Sequence, residues 1–73
     1  MAVAQRTTKQ RTEILGLLDD LDEFRSAQQL HDVLRGRGST TGLATVYRAV
    51  QTLADAGEVD VLRSPDGEAV YRR

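Results

Sequence analysis

The chain has 73 residues, no cysteine and a formal net charge of −1. A chain this short buries only about 60% of its unfolded surface, so it supports one small core and leaves no room for a sheltered active site. Disulfides and thiolate metal sites are excluded, no apolar run approaches the roughly 18 residues of a membrane span, and residues 1–12 lack the apolar centre of a signal peptide. The expected compartment is the cytoplasm, with no membrane partner and no small-molecule substrate.

The charge is segregated. Residues 1–12 carry Arg6, Lys9 and Arg11 and no acid, whereas residues 13–32 carry Glu13, Asp19, Asp20, Asp22, Glu23 and Asp32 against Arg25 alone. Residues 33–54 carry Arg35, Arg37 and Arg48, again with no acid. Acids return at Asp55, Glu58, Asp60, Asp66 and Glu68 around Arg63, and Arg72 and Arg73 close the sequence. A basic arm and a basic third helix can share one face, which suits a polyanion. Ordinary solvated surface is the other reading of the same pattern.

Residues 1–6 read as a loose polar arm, and Thr8 as the N-cap of a first helix. Its apolar stripe is Ile14, Leu15, Leu17, Leu18 and Leu21, and the acids Asp19 to Glu23 end it by opposing the negative end of the helix dipole. Ser26 caps a second helix whose Ala27, Leu30, His31 and Leu34 share a face. Gly36 and Gly38 stop it. His31 on that face reads as a partly buried core residue and not as a metal ligand. A turn at residues 39–42 leads to a third helix from Leu43 to Ala56, closed by Gly57. Two alternating strands, 58–63 and 68–73, flank the turn Ser64-Pro65-Asp66-Gly67. The fold class is therefore mainly α with a small β-hairpin: a winged helix-turn-helix of three helices and a two-stranded wing. The sequence stops within the second strand, which reads as a domain cut from a longer protein.

At about 100° per residue, Leu43, Val46, Val50, Leu53 and Ala54 form the core stripe of the third helix, with Ala49 beside it. Ala44, Thr45, Arg48, Gln51, Thr52 and Asp55 occupy the opposite arc, with Tyr47 at its edge. Arg48 can make a bidentate pair with guanine and Gln51 with adenine. Tyr47 can press on a thymine methyl, and Ala44 allows close backbone approach. Thr41, Gly42 and the first helical turn offer N–H groups to a phosphate. Arg6 and Lys9 can enter a minor groove or sit on phosphates. Any amphipathic helix has a polar arc, so a solvated surface helix stays open on periodicity alone. Asp60 is a lone carboxylate in the first wing strand and by itself indicates no metal.

Three strings carry a resemblance over nearly the whole chain: Thr8-Lys9-Gln10-Arg11, Gly42-Leu43-Ala44-Thr45-Val46-Tyr47-Arg48-Ala49-Val50 and Leu53-Ala54-Asp55-Ala56-Gly57. They resemble the ferric uptake regulator family, with Lys9 standing where that family often has proline. The resemblance implies the N-terminal DNA-binding half of a homodimeric repressor of metal uptake genes, whose C-terminal metal-binding dimerisation domain is absent. It implies base contacts by Tyr47 and Arg48 and a minor-groove contact by Arg6. The string from Glu58 to Ser64 and the following Pro-Asp-Gly turn look like the zinc-sensing branch, in which Asp60 supplies one ligand of a regulatory zinc site. The implied partner is double-stranded DNA with a palindromic operator. The implied cofactor is zinc in the full-length protein, with none bound by these residues alone. An iron- or peroxide-sensing repressor of the same family and a winged helix used for protein–protein contact are the alternatives, separated by the C-terminal ligands and by the role of Arg48.

Overall fold

A computed structural model describes the backbone of residues 2–73 and the side chains of residues 9–73. In chain order it contains helix α1 (Ala2–Leu21), strand β1 (Arg25–Ser26), helices α2 (Ala27–Gly36) and α3 (Leu43–Asp55), and strands β2 (Asp60–Arg63) and β3 (Ala69–Arg72). Three helices and a small antiparallel sheet reproduce the expected class. The sheet nonetheless has three strands, in the order β1-β3-β2. The wing hairpin is thus stitched to the helical body by Arg25 and Ser26, which pair with Tyr71 and Val70.

The termini of the helices follow from their caps. Ser26 accepts from the Gln29 N–H while the Gln29 side chain accepts from the Ser26 N–H, a reciprocal capping box. At the end of α2, the Ser39 N–H donates to Leu34 O and the Gly38 N–H to Arg35 O. At the end of α3, the Glu58 N–H donates to Leu53 O and the Gly57 N–H to Ala54 O. Both are Schellman turns, with Gly38 and Gly57 at φ 86° and 76°. Helix α1 runs through Asp19 and Asp20 and stops at Leu21, with Asp22 at φ 49°. Its start differs from the expectation: the helix extends back to Ala2, and Thr8 lies inside it. Residues 2–7 contain neither glycine nor proline, so nothing in the backbone stops the helix at Thr8.

The core gathers Ile14, Leu17 and Leu18 from α1, Ala27, Leu30 and Leu34 from α2, and Val46, Val50 and Leu53 from α3, closed by Val59 and Tyr71. Leu15, Leu21, Ala49 and Ala54 pack on its margin. Leu43, expected on the core stripe, is 40% exposed. It is the first residue of α3, a turn beyond Val46, and faces a cleft instead of the interior. His31 is partly buried as expected, with its Nδ1 3.9 Å from Asp32 Oδ1.

Cross-strand register sets the two faces of the wing. Val61 and Arg63 lie opposite Tyr71 and Ala69 and share the helix-facing side, whereas Asp60 and Leu62 lie opposite Arg72 and Val70 on the outer side. Strand β2 is an edge of the sheet, and all four of its residues are exposed, Val61 and Leu62 among them.

Tyr71 is 1% exposed and fixes β3, the central strand, to the core. Its hydroxyl is buried with no hydrogen-bond partner among the described residues, and an unsatisfied buried hydroxyl costs about 1–3 kcal/mol. Tyr71→Phe is therefore expected to keep or raise the melting temperature, while Tyr71→Ala loses about 3–5 kcal/mol by cavity formation. A Phe variant that melts well below the parent in calorimetry would show that the hydroxyl is bonded. In the wing turn, a hydrogen bond from the Ser64 hydroxyl, followed by one from the Glu68 N–H, holds the Asp66 carboxyl below its usual 3.8. That contribution is present above pH 3.8 and is lost as pH falls through the depressed folded value. Melts in acid should show the parent losing more stability than Asp66→Asn below that pH; equal losses would remove the turn from the acid response.

Candidate nucleic-acid interface

Helix α3 stands as a ridge with a cleft on each flank. Burial of Val46, Val50 and Leu53 at 0, 0 and 2% exposure fixes its roll. Tyr47, 49% exposed, and Arg48 then project away from the core. On the wing side, a cleft of about 660 Å³ is lined by Leu43, Ala44, Tyr47, Arg48 and Arg63, with Ala27 and Gln28 from the start of α2. On the α1 side, a cleft of about 250 Å³ is lined by Gln10, Arg11, Thr45, Arg48 and Thr52. Arg48 thus sits on the crest between the two. A helix is about 10–12 Å across with its side chains, which matches a DNA major groove of about 12 Å.

The predicted residues divide among these surfaces. Ala44 and Tyr47 line the wing-side cleft, Arg11 and Thr45 the α1-side cleft, and Arg48 both. Lys9 and Thr41 meet in a third concavity between α1 and the turn before α3. Thr41 does not offer a free N–H as expected: it donates to Ser39 Oγ at 3.2 Å. Gly42 is the N-cap and supplies no side-chain cap, so the first-turn N–H groups of α3 stay open to an anion. Gln51 is half-buried and lies outside both clefts beside α3. The Thr52 hydroxyl donates back to Arg48 O. The side chain of Arg6 lies outside the described residues.

Ion pairs reshape the charge pattern. Arg37 pairs with Asp20 at 3.2 Å, Arg72 with Asp22 at 3.1 Å and Arg73 with Asp19 at 2.8 Å. The C-terminal end of α1 is thereby neutralised, and Arg72 and Arg73 are drawn away from α3. Arg11, expected on DNA, pairs with Glu58. Among the described residues, Lys9, Arg35, Arg48 and Arg63 have no carboxylate within 4.0 Å, and two of these four border the wing-side cleft. Sequence reasoning gave Arg63 little weight. The signal that finds it is register: immediately before the turn, opposite Ala69, it must face the helix side.

Asp60 is exposed on the outer face of the wing. Among the described residues no three His, Asp or Glu side chains gather around a metal position. These residues cannot complete a zinc site, which needs four donors in its structural form.

The capped helix pair, the outward Tyr47–Arg48 crest and the flanking hairpin define a winged helix-turn-helix domain. Residues 3–73 match the ferric uptake regulator family, and the chain belongs to that family, one of regulators and not of enzymes. It is 56% identical over 72 residues to the zinc uptake regulation protein of Mycobacterium tuberculosis strain CDC 1551, covering 99% of this chain and 55% of that protein. The crystal structure of FurB from M. tuberculosis, a zinc uptake regulator, superposes with a TM-score of 0.90 at 56% identity, over 99% of this chain and 56% of that one. The ferric uptake regulator of Francisella tularensis with iron gives a TM-score of 0.81 at 33% identity, over 86% and 48%. The chain therefore spans about half the length of these relatives.

Proposed function

We propose that this chain is the DNA-binding domain of a metal-responsive transcriptional repressor, most similar in kind to the zinc-responsive regulators of metal uptake. The observation that carries the reading is the crest of α3. Tyr47 and Arg48 are exposed between two concave flanks, on a helix whose opposite side is fully buried. In this reading α3 enters the major groove. Arg48 pairs with guanine, Tyr47 packs on a thymine methyl, and Ala44 and Thr45 allow close approach. Arg63, Lys9 and the N–H groups after Thr41 and Gly42 meet phosphates on either side. Arg6 reaches the minor groove. Gln51 contributes only at the edge of the contact, because it is half-buried.

The longer protein acts in the cytoplasm as a homodimer on a palindromic operator, since two-fold protein symmetry is mirrored in the site. Asp60 supplies one donor to a regulatory zinc site completed outside these residues. Zinc is favoured over iron by the 56% identity to a zinc uptake regulation protein against 33% to an iron-bound ferric uptake regulator. Use of the winged helix for protein contact is disfavoured by the uncompensated cations on the crest and wing. Among the described residues no helix is long and apolar enough to cross a membrane.

Selection of the chain against a random duplex pool should enrich one sequence, and Arg48→Ala should bind that duplex about 5- to 150-fold more weakly, the worth of a bidentate base contact. Equal binding by the variant, or no enrichment at all, sinks the reading. Affinity of the chain for the same duplex should not respond to zinc or to a chelator. A metal-dependent change in fluorescence anisotropy would mean that these residues hold a site of their own.

A further inference from the structure

The Arg11–Glu58 ion pair is set apart from the others by its location. The pairs of Arg37, Arg72 and Arg73 gather at the C-terminal end of α1, on Asp20, Asp22 and Asp19. Arg11 lines the α1-side cleft with Thr45 and Arg48, on the flank of the crest. Glu58 meets Arg11 from the Schellman turn that ends α3, its N–H held on Leu53 O at 2.9 Å. The carboxylate is therefore placed by the helix cap itself. Its Oε2 is shielded from water and has no other partner among the described residues. The Arg11 side chain is 47% exposed, so solvent and ions reach its other face.

We propose that Glu58 acts as an internal substitute for a DNA phosphate, occupying Arg11 and so lowering the affinity of the domain for duplex without an operator. The inference rests on the DNA-binding reading above. A carboxylate and a phosphate both accept charge-assisted, often bidentate, hydrogen bonds from a guanidinium. A backbone phosphate at the α1-side cleft either displaces Glu58, leaving its buried oxygen unpaired, or shares Arg11 with a carboxylate that repels it. Only a complex with enough other contacts, as on an operator, offsets that loss. Weak non-specific binding follows from the contact itself as well as from the near-zero net charge.

The test uses a short mixed-sequence duplex without inverted repeats, followed by fluorescence anisotropy from about 50 to 200 mM KCl. Glu58→Gln should bind this duplex about two- to fivefold more tightly, the range set by an exposed ion pair. The slope of log affinity against log salt should steepen by about 0.9, one added phosphate contact. Arg11→Gln combined with Glu58→Gln should abolish the gain. Asp20→Asn, the same charge change at the far end of α1, should give a clearly smaller one. The proposal is overturned if Glu58→Gln binds no better than the parent, if the double variant keeps the gain, or if Asp20→Asn matches it. Loss of binding in Arg48→Ala without a gain in Glu58→Gln overturns this inference alone. Absence of binding by both parent and Glu58→Gln overturns the DNA reading with it. Should Glu58→Gln melt below the assay temperature, Glu58→Asp withdraws the carboxylate by one methylene and must shift affinity in the same direction.

Discussion

The rotational setting of α3 governs everything this domain presents to its surroundings. A helix is free to roll about its axis until side chains lock it, and here Val46, Val50 and Leu53 supply the lock. They recur at four and three residues, along one side of a cylinder with 3.6 residues per turn. Tyr47 and Arg48 follow Val46 directly and are thrown about 100° and 200° away from it. Helices α1 and α2 form the socket for the buried side, and Tyr71 holds the hairpin at the angle that opens the wing-side cleft. Tilting any of these supports would move the crest before it touched the chemistry of Arg48.

Net charge alone gives a misleading view of such a surface. The sum is −1, yet the acids at the C-terminal end of α1 are all paired, whereas beside α3 Arg11 is paired and Arg48 and Arg63 are not. Asp19, Asp20 and Asp22 draw Arg73, Arg37 and Arg72 to the C-terminal end of α1. Each of these exposed pairs contributes at most about 1 kcal/mol to stability. Their larger effect is electrostatic sorting: they neutralise the acids at the end of α1, whereas Arg48 and Arg63 share the wing-side cleft with the carboxylate of Glu68 and have no carboxylate within ion-pair reach.

Much of the architecture was legible in the residues because it is encoded locally. The Ser26 capping box, the glycines after α2 and α3, and the Pro65–Gly67 turn each act within a few positions, and the elements they bound stand close to where expected, except that β2 begins at Asp60 and not at Glu58, which the α3 cap takes. Strand β1 was not legible, since two residues carry no periodicity and pair only because β3 passes beside them. The start of α1 was misread because Thr8 has the chemistry of a cap but no helix breaker precedes it. On the interface, the Tyr47–Arg48 crest followed from periodicity, whereas Leu43 was misassigned because the stripe says nothing about where a neighbouring wall ends. The Arg11–Glu58 pair joins residues far apart in sequence, and no pattern in the chain announces it.

Strand β2 has a free outer edge, and it carries Val61 and Leu62 between Asp60 and Arg63. Charged residues at the ends of an apolar edge discourage pairing with a second copy. Asp60 is placed to act in this way whatever its part in a metal site. Replacing it by alanine leaves the exposed dipeptide guarded on one side only, which removes one barrier to edge-to-edge pairing. Genetic or biochemical phenotypes of changes at this carboxylate acquire meaning only alongside the sedimentation behaviour of the altered protein.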